Sequence, residues 1–124
     1  MNIVLWIIAG LLAAAFAAAG VLKLSQPKEK LAASGLAWTE DFSAGTIKLI
    51  GALELLAGIG LILPALLDIA PVLVPLAATG LVLIMIGAIV VHARRKEYSG
   101  IAVNVILLLL AAVVAWGRFG PYAF

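Results

Sequence analysis

Cysteine is absent from this sequence. That excludes disulfides, thiol redox chemistry and Cys-ligated metal centres, and with them the dithiol mechanism that some membrane reductases use. Histidine occurs once, as His92, so neither a protein-ligated haem nor a metal site is expected. Charge is scarce as well: 11% of the 124 residues are charged, against roughly 25% in a soluble domain. There is no Walker motif, dinucleotide fingerprint, HExxH, nucleophile elbow or acid pair with glycosidase spacing. The net charge of +2 does not point to nucleic acid, because the basic residues stand at the ends of apolar runs rather than along one face.

What is present is apolar: 66% of the residues are hydrophobic. A transmembrane helix needs roughly 20 such residues in a row. Four runs meet that length or approach it, over about residues 3–22, 44–63, 72–91 and 101–116. With their turns they use the whole chain as a single domain. The sequence therefore predicts an all-α integral membrane protein, a four-helix antiparallel bundle. The first run has small residues that resemble a signal-peptide cleavage site. No Lys or Arg precedes it, however, and it outlasts the 7–15-residue core of a signal, so it is expected to remain as a helix. Between the first two spans, Pro27 suits a first helical position, and KEKLAAS then makes a short interfacial helix that Gly35 ends. Leu31, Leu36, Trp38 and Phe42 are expected to lay this connection on the membrane surface. Thr39 is the expected N-cap of the second span, with Glu40 and Asp41 in its first turn. Pro64 is expected to stop that span, and a turn containing Asp68 leads to the third.

Aromatic residues mark the two membrane faces. Trp6, Trp116, Phe119, Tyr122 and Phe124 group with the termini; Trp38, Phe42 and Tyr98 group at the opposite face; Phe16 alone lies inside a span. Lys23, Lys28, Lys30, Arg94, Arg95 and Lys96 all fall in the first and third loops, with Lys48 just inside the second span. The positive-inside rule then puts those loops in the cytoplasm and both termini outside. Single substitutions Ser25→Cys, Ser99→Cys and Ala123→Cys test this. An impermeant thiol reagent applied to intact cells should label position 123 and spare 25 and 99; the reverse pattern inverts the topology.

Lipid supplies no hydrophobic drive for helix association, so small residues that let backbones approach are the expected contacts. Gly10, Ala14 and Ala18 recur on the first span, Gly51 and Gly58 on the second, Gly80 and Gly87 on the third, and Ala111 and Ala115 on the fourth. Glu54, in the middle of the second span, is the most informative residue. A charge there costs at least ~2.5–3.5 kcal/mol on insertion scales. It shares a helical face with Gly51 and Gly58, so it points into the bundle. It is either an acid donating one structural hydrogen bond, for example to Thr79, or a ligand anchor or proton carrier in a cavity. Lys23 either snorkels to the headgroups, the reading favoured by its place at a span end, or turns inward as the counter-charge of Glu54. Lys48 is read as snorkelling. His92 either meets headgroups or closes the mouth of a cavity and moves protons there. Asn104 is expected to make an interhelical hydrogen bond.

The segments carrying these residues form a recognisable pattern. Gly20–Lys23–Leu24 ends the first span, KLIGALELLAGIGLILP makes the second, and MIGAIVVHARR ends the third. Along its whole length the chain resembles the DoxX-like family of small bacterial membrane proteins. The resemblance implies a four-helix membrane bundle in a bacterial inner membrane, and the family's usual polar positions fall on Lys23, Glu54 and His92. Founding relatives are linked with a thiosulfate:quinone oxidoreductase, others with redox-stress complexes, and distant animal relatives act as membrane assembly factors. The resemblance thus suggests a membrane subunit that binds quinone or lipid and serves a soluble or membrane redox partner. A homo-oligomer fits it too, and no catalytic motif marks the chain itself as an enzyme. A non-catalytic scaffold or assembly factor is the alternative. A proton-coupled transporter is a third reading, since a membrane-embedded glutamate resembles that of the small multidrug resistance family. That family carries its glutamate in the first helix, and here that helix has no acid.

Overall fold

The computed structural model describes residues 1–33 and 36–124, and among them every regular element is helical. Four long helices cross the membrane: α1 (Asn2–Ser25), α3 (Ala44–Leu67), α4 (Leu73–Arg94) and α5 (Tyr98–Phe119). Between the first two lie the short helix α2 (Lys28–Ala33) and a 3-10 turn (Ala37–Asp41). All four spans are present, each extending a few residues beyond its apolar run. Gly35, the expected end of α2, lies outside the described residues.

The buried positions show why these runs form a bundle. On α1 they are Leu5, Ala9, Leu12, Phe16, Gly20 and Lys23; on α3 they are Ile47, Gly51, Glu54, Gly58 and Leu61. Steps of three and four residues keep one stripe per helix turned inward, the seam of near-parallel or antiparallel packing. Large aliphatics turn outward instead: Leu11, Leu56, Leu83 and Ile106, one on each span, are 65, 65, 64 and 58% exposed. Only lipid makes such a surface favourable. α1 packs chiefly on α3 and α4 on α5, giving two antiparallel pairs that meet around Phe16, Leu61, Ala78, Leu81 and Val114.

Several local expectations are corrected. Pro64 does not stop α3, because a proline removes one hydrogen bond without preventing a last turn, and neighbouring helices tolerate it in membranes. The stop is Asp68, left-handed at φ 51°, with the Ile69 N–H returning to the Pro64 carbonyl at 3.0 Å. Ser43, not Thr39, caps α3: its hydroxyl accepts from the Thr46 N–H at 3.1 Å. Thr39 is buried in the 3-10 turn and donates to the Leu36 carbonyl at 2.7 Å. Glu40 and Asp41 sit in that turn, and the first turn of α3 holds no acid. Leu31 is buried, and Leu36, Trp38 and Phe42 turn over the end of the bundle rather than out to lipid.

The small-residue stripes divide. Gly51 and Gly58 pack against α1, where a Cβ would stand 3.0 Å from the Gly20 and Ala13 carbonyl oxygens, respectively. Gly80 and Gly87 have nothing within 4 Å of a Cβ position, and Gly10 likewise faces open space with Ala14 and Ala18 exposed. Glycine suits a helix contact only where a neighbour occupies the space it leaves, and at these positions none does.

Candidate functional site

α1 and α3 touch backbone to backbone. A Cβ on Gly20 would stand 2.5 Å from the Gly51 carbonyl oxygen and 2.7 Å from the Leu55 nitrogen. Lys23 follows on the same face of α1. Cα–Cβ bonds tilt toward a helix's N-terminus, and α1 ends at the face that carries the first and third loops. The tilt therefore carries Lys23 down into the bundle, where its Nζ donates to Glu54 Oε1 at 2.7 Å with both side chains buried. α3 begins at that same face, so the same tilt takes Lys48 outward. Its Nζ donates to the Leu24 carbonyl at 3.1 Å, near the end of α1. Lys23 is thus the counter-charge of Glu54 rather than a snorkelling residue, and Lys48 is interfacial. Thr79 is not a partner of Glu54: its hydroxyl donates to the Pro75 carbonyl at 2.8 Å.

The ion pair borders a cavity of about 560 Å³ between the two helix pairs, at the end under those loops. Lys23, Glu54 and His92, drawn from three different spans, all line it, and Trp38 and Phe42 roof it. The Lys23 ammonium lies 5.8 Å from the centroid of the Trp38 ring. Asn104 is a fourth polar group on the wall, 8% exposed. The expected interhelical bond is not formed: its Nδ2 has no hydrogen-bond partner among the described residues. On α4 and α5, Gly87 and Val103 line the cavity and are exposed.

A chain of charges closes the loop end. His92 Nδ1 lies 3.0 Å from Glu97 Oε1. Gly100 makes room for the ring, since a Cβ there would stand 2.8 Å from that nitrogen. Arg95 donates from Nη1 to Asp41 Oδ2 at 2.8 Å, and its Nε lies 3.4 Å from Glu97 Oε1. The hydrogen bond to Asp41 raises the Arg95 pKa above the ordinary guanidinium value, so this clasp keeps its cation. It ties the 3-10 turn, and with it Trp38 and Phe42, to the turn between α4 and α5. At the opposite face Arg118 is buried and donates to Asn2 Oδ1 at 2.6 Å and to the Tyr122 carbonyl at 2.9 Å, with the Phe124 ring centroid 3.9 Å away. That contact joins the terminal segments and stands apart from the cavity.

Chemically, the cavity offers an apolar wall, one internally neutralised acid–amine pair in hydrogen-bond contact, an unpaired amide and an imidazole at the mouth. Such a set can hold a polar headgroup and pass a proton between oxygen and nitrogen. Sequence reasoning missed Trp38 and Phe42 as its roof, because a connection between spans has no periodicity to show which way it folds. It missed Arg118, because a cation at a span end ordinarily reads as solvated.

No curated protein and no solved structure matches the chain. The model of the DoxX-like family matches residues 7–114, which reaches into all four spans and includes Lys23, Glu54, His92 and Asn104. This four-helix membrane protein belongs to the DoxX-like family.

Proposed function

We propose that the protein is a ligand-binding membrane subunit whose cavity takes the headgroup of an amphiphile, a quinone or a lipid, beside Lys23 and Glu54, and that it serves a redox partner. The observation that carries this reading is the convergence of Lys23, Glu54 and His92 on one cavity of about 560 Å³. Ligand sites are typically ~300–1,000 Å³, mostly apolar, with a few placed polar groups. In this reading Lys23 and Glu54 hydrogen-bond the headgroup and exchange a proton with it. His92 connects the mouth to water on the cytoplasmic side, with both termini on the other. In this reading electron transfer belongs to the partner, in keeping with a sequence that has no cysteine and a single histidine. A scaffold is the second reading, favoured by the exposed Gly10, Ala14 and Ala18 stripe, which suits close approach by another helix.

Titration of the purified protein with decylubiquinone, followed by tryptophan quenching, tests the first reading. The wild type should bind, and the double variant Lys23→Met, Glu54→Leu should bind at least tenfold more weakly while remaining folded. Failure of the wild type to bind leaves the scaffold reading ahead.

A further inference from the structure

Every formally charged or titratable group on the cavity wall already has a partner. Lys23 and Glu54 neutralise each other at 2.7 Å, and His92 is engaged by Glu97 at 3.0 Å. Among the described residues no unpaired cation faces the space to receive an anion. The group left without a partner is neutral: Asn104, more than nine-tenths buried, with its Nδ2 unbonded among the described residues. A buried amide without a partner is destabilising relative to a satisfied one, and buried polar groups are almost always satisfied. An empty bundle gains nothing from such a residue, since leucine would fill the same position without a stranded donor.

We infer that Asn104 is the recognition group of this cavity, and that its side-chain amide, turned so that the enclosed Nδ2 meets the ligand, selects an uncharged carbonyl headgroup over an anionic one. The inference rests on the cavity reading given above and narrows it. Of the two amphiphile classes, the neutral carbonyl compound is accommodated and the phosphate is rejected. A phosphate would have to share the Lys23 ammonium with Glu54, placing two negative groups on one cation. A carbonyl adds no charge, and its apolar remainder lies against Met85, Ile84 and Phe42, which line the same space.

The test uses two probes with the same tail, decylubiquinone and decyl phosphate, on the wild type, Asn104→Leu and Asn104→Asp in detergent. Each titration is accompanied by a thermal melt without probe. Decylubiquinone should bind the wild type, decyl phosphate at least tenfold more weakly, and both variants should lose tenfold or more in decylubiquinone affinity. Asn104→Leu should melt at or above the wild-type temperature, since it removes an unsatisfied group. A purely structural asparagine would make that variant melt lower. Equal decylubiquinone binding by wild type and both variants overturns the role of Asn104 and leaves the cavity reading intact. Decyl phosphate binding the wild type as tightly overturns the selection of a neutral headgroup. No binding of either probe to the wild type overturns the cavity reading itself, and this inference with it.

Discussion

Glu54→Leu alone should lower the unfolding free energy in detergent by ~3–5 kcal/mol, because it strands the buried Lys23 ammonium without its counter-charge. Lys23→Met should do comparable harm by leaving the Glu54 carboxylate unpaired. The two together should recover most of the loss, since both charges are then replaced by apolar side chains of similar size, an exchange that is often neutral or stabilising. Thermal or denaturant unfolding of the four proteins closes the cycle, and a coupling well above ~1 kcal/mol is expected for groups in direct contact. Simple additivity of the two single losses would show that the 2.7 Å contact does not hold in the membrane protein. The cycle separates stability from binding, because the double variant is the one predicted to fold and yet bind decylubiquinone poorly.

Gly20→Leu should be the most damaging change to packing on α1, at about 3 kcal/mol, the upper end of ordinary overpacking. The atoms that its Cβ would meet at 2.5 and 2.7 Å are backbone atoms of Gly51 and Leu55. Neither can swing aside as a side-chain tip can, so α1 and α3 must separate. Lys23 would then be carried away from Glu54, and the loss should exceed that from packing alone. Gly80→Leu and Gly10→Leu are the controls: with nothing within 4 Å of either Cβ position, each should change stability by no more than ~0.5 kcal/mol. Melting temperatures of the three variants decide it, and equal melting of Gly20→Leu and the controls would refute the α1–α3 contact.

The same glycines show what could be read from the sequence. The four spans were legible because the length of an apolar run is set by bilayer thickness, which does not depend on the partners. Gly51 and Gly58 were assigned to the interior correctly because Glu54 lies three and four residues away and cannot face lipid. Gly10, Gly80 and Gly87 had no such marker, and a glycine facing lipid is indistinguishable in sequence from one facing a helix. Lys23 was misjudged for another reason. Depth and residue type favour snorkelling, but the direction of the chain decides which way the side chain leans, and at the end of a helix it leans inward. Lys48, at the start of one, follows the ordinary expectation. Asn104 was recognised as a buried polar residue, yet whether it finds a partner depends on the gap between two helix pairs, a tertiary quantity. Asp68 replaces Pro64 as the stop because a left-handed residue ends a helix outright, while proline ends it only when no turn can follow.

Gly87 on α4 and Val103 on α5 border the cavity and are exposed. In the reading proposed above an amphiphile enters there, laterally from the bilayer, while the mouth at His92 faces the loops. For an amphiphile dissolved in the bilayer, occupancy follows its mole fraction among the lipids, with aqueous concentration entering only through partitioning. A dissociation constant expressed in bulk molarity would then change with the amount of lipid or detergent in the assay, while the same constant in mole fraction would not.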